Sequence, residues 1–199
     1  MQKENRVLEY IQTNMNTERM DRLMPAVTHM ADGGIAWFLL CALFMMRETT
    51  RILALSILIS LGIEAVVCNL MVKPVAKRKR PCDLNPDVPL LIRRPTDPSF
   101  PSGHTGASFA AVTAMFLYRN IFWLPSCLLA CAIAYSRMYL YVHYPSDVII
   151  DALLDIIAGL LAQPLLAYLL SLILQETGRQ SCLPVFLYHT MINPEILHR

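Results

Sequence analysis

The sequence predicts an all-α, polytopic transmembrane helix bundle of about five spans, preceded by an N-terminal interfacial helix. Two observations carry this reading. Of 199 residues, 55% are hydrophobic and only 16% charged. The charges are gathered between long apolar runs, which is the pattern of a membrane protein and not of a soluble globule.

Residues 4–22 scatter Val7, Leu8, Ile11, Met15 and Met20 through a charged background, so residues 1–23 read as an amphipathic helix on the membrane surface. An arm packed on the protein explains the same pattern equally well. These residues contain no apolar h-region, so no cleavable signal peptide is expected. The transmembrane domain is placed at 24–175, and 176–199 reads as a polar tail.

The first span is Met24 to Met46, with Asp32 near the headgroups. Ile52 to Val72 follows the polar turn at 47–51 and is interrupted only by Glu64 and Asn69. Gly106 to Tyr118 makes a short third span, Ile121 to Tyr141 the fourth, and Val148 to Leu174 a long fifth. The motif Ala158-x-x-x-Ala162 with Gly159 reads as a close helix-packing surface. Tyr139 and Tyr141 suit either an interfacial aromatic belt or contact with a lipid tail.

The six cysteines show no metal or disulfide spacing; Cys41, Cys68, Cys127 and Cys131 lie in apolar segments, and Cys82 and Cys182 in polar ones. A net charge of +2 gives no footprint for nucleic acid.

Two connections break the pattern of short turns: a proline-rich loop at 73–101 and the His143–Asp147 segment. Counting crossings puts both on one side of the membrane, so their polar residues converge. Lys73 and Arg80 are seven residues apart, so a helix continuing past the second span would put both on one face; Pro74 kinks it and Pro81 ends it. Ser102 is the expected N-cap of the third span, which leaves the Gly103 and His104 amides free to meet an anion. Pro145 suits the first position of the fifth helix, and Asp147 in its first turn points back at His143.

Together, Lys73, Arg80 and Arg137 supply permanent cations, the Ser102–Gly103 helix start supplies donors, and His104, His143 and Asp147 supply proton and nucleophilic chemistry. A tetrahedral phosphate needs such a set, without acidic crowding. No Asp/Glu/His cluster offers metal ligands, so the cations are expected to carry the charge neutralisation.

The segments Lys73-(x6)-Arg80-Pro81, Pro101-Ser102-Gly103-His104 and Ser136-Arg137-(x5)-His143-(x3)-Asp147 resemble, in order and spacing, the three motifs of the type 2 phosphatidic acid phosphatase superfamily. The resemblance covers roughly residues 24–170. It implies a metal-independent membrane phosphatase with no cofactor. His143 would be the nucleophile that forms a phosphohistidine, Asp147 its orienting residue and His104 the general acid. Lys73, Arg80, Ser102, Gly103 and Arg137 would form the phosphate cradle.

The implied substrate is a lipid phosphate or diphosphate in the bilayer, with undecaprenyl diphosphate first and phosphatidylglycerophosphate or phosphatidate second. The implied location is a bacterial plasma membrane with an extracytoplasmic active site, whereas a positive-inside count alone would put the basic loop in the cytoplasm. A non-catalytic lipid-phosphate binder or transporter stands as the alternative from another class; the five apolar spans argue against the superfamily's soluble haloperoxidases. Lys77, Arg78 and Lys79 read mainly as headgroup contacts. Arg93 and Arg94 suit either a second phosphate or a solvated loop. Asp151, one turn below Asp147, reads as a partner for a motif cation or as a hydrogen-bonded bundle residue.

Overall fold

The computed structural model describes residues 2–176, so Cys182 and the tail beyond Glu176 lie outside the described residues. The described chain is all-helical.

Helix α1 (Gln2–Asn14) packs one face on the bundle: Leu8 and Ile11 are buried with Tyr139, Leu140, Tyr141, Val142 and Tyr144. The Gln12 side-chain amide donates to the Tyr139 carbonyl at 2.6 Å. Both expected roles for the tyrosines are corrected by that packing. Tyr139 and Tyr141 are each 3% exposed, and their hydroxyls bond Asp21 at 2.7 Å and Asn85 at 2.8 Å. Cys82, expected in a polar stretch, is buried in the same cluster.

Helix α2 (Glu18–His29) starts on Thr17, whose hydroxyl accepts from the Met20 amide. The expected span from Met24 to Met46 is bent within its length. Gly33 and Gly34 take φ values of 56° and 73°, a left-handed conformation that glycine adopts without a Cβ penalty. Helix α3 (Ile35–Met45) therefore leaves α2 at 50°, and Asp32 sits at the apex of the bend.

Helix α4 (Arg51–Ala65) runs through a π-helical segment (Val66–Val72) into α5 (Lys73–Ala76). Lys77 turns left-handed at φ 44°, so helix does not continue from Lys73 to Arg80 as expected. Pro81 opens the short α6 (Pro81–Leu84), taking the first helical position, where a missing N–H costs nothing.

Helices α7 (Gly103–Leu117), α8 (Trp123–Tyr139) and α9 (Pro145–Glu176) complete the bundle. Helix α7 is the central post, with Ala110, Ala111, Ala114 and Met115 fully buried. Its small residues admit α9 closely: a Cβ on Gly159 would come within 2.6 Å of the Thr113 Cβ, in keeping with the packing role read for this motif. Polar contacts also tie the helices, from Gln163 to Ser56 at 2.5 Å and from Trp37 to Ser108 at 3.2 Å.

Among the described residues, the helical stretches Glu48–Leu84 and Pro145–Ile173 are long and apolar enough to cross a membrane alone; the bent α2–α3 pair makes a third. Helices α7 and α8 have 15 and 17 residues, short of the roughly 20 that a straight span needs. Five crossings therefore stand as a proposal. At the end away from the basic loop, the α3 and α8 termini meet through Phe44 and Phe122, ring centroids 6.0 Å apart.

Candidate active site

A cavity of about 510 Å³ opens at the bundle end where α2, α5, α7 and α8 meet the 85–101 loop. Six of the eight predicted residues line it: Lys73, Arg80, Gly103, His104, Arg137 and His143.

The segment after α8 explains why Arg137 and His143 share the cavity. Tyr141 adopts φ 59°, and the His143 amide folds back to donate to the Arg137 carbonyl at 3.2 Å. Arg137 is 4% exposed, and its Nη1 donates to Thr28 at 2.7 Å. Arg80 is 2% exposed. Its Nη1 donates to the Val142 carbonyl at 2.8 Å and reaches His143 Nε2 at 2.9 Å.

A guanidinium only donates, so Nε2 of His143 accepts and its proton sits on Nδ1. Burial, and then the charges of Arg137 and Arg80, hold the His143 pKa well below its ordinary value. The imidazole is therefore neutral, with a lone pair on the cavity side.

Asp147 lies behind it, fully buried, with Oδ2 3.8 Å from His143 Nδ1. That carboxylate accepts from the Ser99 hydroxyl at 2.5 Å and the Tyr144 amide at 3.0 Å, so the first turn of α9 points it back as its position predicted. Ser102 departs from expectation. It makes no side-chain cap and does not line the cavity; its hydroxyl lies 3.0 Å from that of Thr105. The donors at the start of α7 are then backbone amides.

The sequence missed three members of this site. Asp97 is the first: its Oδ2 lies 2.9 Å from Lys73 Nζ and its Oδ1 2.8 Å from Arg80 Nη2, so one carboxylate spans both cradle cations. The expected lack of acidic crowding is thereby corrected. Burial opposes ionisation of Asp97, but bonding to Lys73 and the charges of Arg80 and Lys73 prevail, bringing its pKa down to about 2. Because this folded-state pKa is depressed, the contacts contribute fully above about pH 4 and are lost as pH falls through about 2. Asp97→Asn should tighten inhibition by inorganic phosphate or vanadate by about tenfold, the scale of one surplus charge contact. An unchanged inhibition constant would show that Asp97 does not compete for the cradle.

Arg78 is the second, and its assignment to headgroups is corrected. Its guanidinium pairs with Asp147 Oδ1, donates to Ser146 at 2.7 Å and Glu4 at 3.0 Å, and lies 4.2 Å from the centre of the Tyr144 ring. The signal was available, because a carboxylate beside a buried histidine needs a counter-charge and the loop offers one two residues before Arg80.

Asp32 is the third. It lies within the cavity wall and not simply at headgroup depth, with Oδ1 2.7 Å from His104 Nε2 and Oδ2 2.6 Å from His29 Nδ1.

Arg93 and Arg94 line the cavity, and Arg94 also lies 3.7 Å from Asp83. Asp151 does not pair with a motif cation. Among the described residues its Oδ2 has no hydrogen-bond partner, and the Asp151 and Asp155 carboxylates close over Gly106, where a Cβ would collide with both.

A model of the PAP2 superfamily matches residues 50–179. The chain is 35% identical over 119 residues to an undecaprenyl-diphosphatase of Sulfolobus acidocaldarius, covering 59% of this chain and 57% of that one. It is 28% identical over 124 residues to a decaprenylphosphoryl-5-phosphoribose phosphatase of Mycolicibacterium smegmatis, covering 62% and 67%. The chain thus matches between about half and two thirds of the length of these curated relatives.

The crystal structure of Aquifex aeolicus LpxE superposes with a TM-score of 0.70 at 25% identity, covering 80% of this chain and 93% of that one. A PAP2-type phosphatidylglycerolphosphate phosphatase from Bacillus subtilis shares the fold, with a TM-score of 0.66 at 20% identity over 82% and 85% of the two chains. The matched segment takes in most of the chain, including α4, α7, α8 and all three motifs, and the chain therefore belongs to the PAP2 superfamily.

Proposed function

We propose that this protein is a metal-independent phosphatase of lipid phosphates or diphosphates that works through a phosphohistidine. The observation that carries the reading is the seat of His143, between a guanidinium at Nε2 and the Asp147 carboxylate behind Nδ1.

In the first half-reaction, His143 Nε2 attacks phosphorus while the bond to the leaving oxygen breaks and His104 gives that oxygen a proton. Lys73, Arg80, Arg137 and the helix-start amides neutralise charge on the three equatorial oxygens. In the second, His104 takes a proton from water as its oxygen attacks phosphorus, the P–N bond breaks, and phosphate leaves.

Undecaprenyl diphosphate is the preferred substrate, supported by the relative of that activity at 35% identity. Phosphatidylglycerophosphate or phosphatidate is the second reading, supported by the same chemistry and the shared fold. The lipid tail stays in the bilayer while the head enters the cavity. We place the site on the extracytoplasmic face of a bacterial plasma membrane, with Lys73, Arg80 and Arg137 serving phosphate and not topology.

The test is phosphate release from polyprenyl diphosphate, phosphatidylglycerophosphate and phosphatidate, each with a chelator present. Release from the diphosphate undiminished by chelation is expected. Binding of all three without turnover would favour the non-catalytic carrier, and activity lost on chelation would overturn metal independence.

A further inference from the structure

Building on the phosphatase reading, we propose that Asp32 is the positioning carboxylate of His104, giving the acid–base histidine a partner as Asp147 gives one to the nucleophile. Asp32 would fall on the outside of a straight span, among headgroups. The left-handed Gly33 and Gly34 fold the chain by 50° between α2 and α3, and the apex delivers Asp32 to the cavity wall opposite α7.

There its two oxygens are used separately. Oδ1 meets His104 Nε2 at 2.7 Å, and Oδ2 meets His29 Nδ1 at 2.6 Å. The second contact fixes the carboxylate, so the first is held in one orientation. His104 is only partly buried, and a ring there is otherwise free to turn about its side-chain bonds.

An ionised carboxylate only accepts, so Nε2 of His104 carries a hydrogen and Nδ1 is the atom left to exchange a proton with substrate. As a general acid, His104 must first be an imidazolium within reach of Arg137 and Arg80, in a cavity that Lys73, Arg93 and Arg94 also line. Asp32 is the carboxylate bonded directly to the ring, and Asp97 is already engaged by two cations. Asp32 therefore offsets the cost of holding a positive ring among positive neighbours. Its charge also favours the proton that His104 must take from water in the second step.

The experiment compares wild type, Asp32→Asn and Asp32→Glu as full chains in bilayers, on a lipid phosphate and on p-nitrophenyl phosphate. Asp32→Asn should lower kcat about 100-fold on the lipid, the lower end of what general acid–base catalysis contributes, with KM no higher. With p-nitrophenyl phosphate, departure needs no proton but hydrolysis of the phosphoenzyme still needs His104. A burst of one nitrophenol per active site, followed by slow turnover, is therefore expected. Asp32→Glu keeps the carboxylate and should recover part of kcat.

An equal loss on both substrates without a burst, at an unchanged melting temperature, overturns the inference, and so does wild-type kcat in Asp32→Asn. Failure of the phosphatase reading itself looks different: wild type would then release phosphate from neither substrate.

Discussion

His143→Ala is expected to abolish turnover, by about 10⁴- to 10⁶-fold, the range seen when a nucleophile that acts as a unit with its base is removed. The loss follows from the directionality of the site. Arg80 donates to the Nε2 lone pair of His143 and Asp147 stands behind Nδ1, so this imidazole presents a single nucleophilic nitrogen to phosphorus. Truncation removes a buried polar ring at the end of the bundle and leaves the apolar core of α3, α4, α7 and α8 untouched, so the protein should still fold. Incubation with a phosphate-labelled substrate and acid-lability mapping should put the label on His143 in wild type. A label at any other residue, or a turning-over His143→Ala protein, sinks the assignment.

Arg78→Ala is expected to lower kcat by about 10²-fold and the melting temperature by about 5 °C, because removing one partner of a buried ion pair strands the other charge. Asp147 is fully buried and would keep only the Ser99 hydroxyl and the Tyr144 amide. Arg78 is itself 28% exposed, so water softens the penalty below that of a fully buried pair. Arg78→Lys should restore stability better than rate: an ammonium keeps the charge but cannot bridge Asp147, Ser146 and Glu4 with one planar fork. Wild-type kcat in Arg78→Ala would return this residue to the headgroup role that its basic neighbours suggested.

The link from Arg78 to Glu4 also gives α1 a consequence that its amphipathic pattern did not carry. The arm's first turn completes the ring of contacts around Asp147, with Leu8 and Ile11 seating the helix. Pattern alone left surface helix and packed arm level, because apolar residues every three or four positions bury equally well against lipid or against protein.

The site was legible where its chemistry is written in short range. The positions of Pro145, Asp147 and His143 within five residues settled their relation, since a helix start dictates where its first-turn side chains point. Arg80 was found too, but for a reason only partly right: spacing implied a continuous helix from Lys73, and Lys77 breaks it. Both cations reach the cavity because Asp97 gathers them and the loop carbonyls hold Arg80. Asp97 and Asp32 were not recognisable because each is defined by a partner 17 to 72 positions away, and one carboxylate looks like any other; Arg78, 69 positions from its partner, could be found only by asking what offsets the charge of Asp147.

The sequence by itself determined the helical membrane fold and the end of the bundle that carries the polar chemistry, and its motifs named the residues proposed as nucleophile, acid and cradle. The fold and its polar end follow from hydrophobic patterning, turn chemistry and spacing, which are local properties, and the roles follow from the resemblance of the three motifs to their family. Tertiary structure decided which charges oppose which. It turned Ser102 away, brought Asp97 onto the cradle, and put Arg78 and Asp32 behind the two histidines. The physical reason is that a buried charge is tolerable only beside its partner, and that partner is chosen by helix packing and loop path, not by distance along the chain.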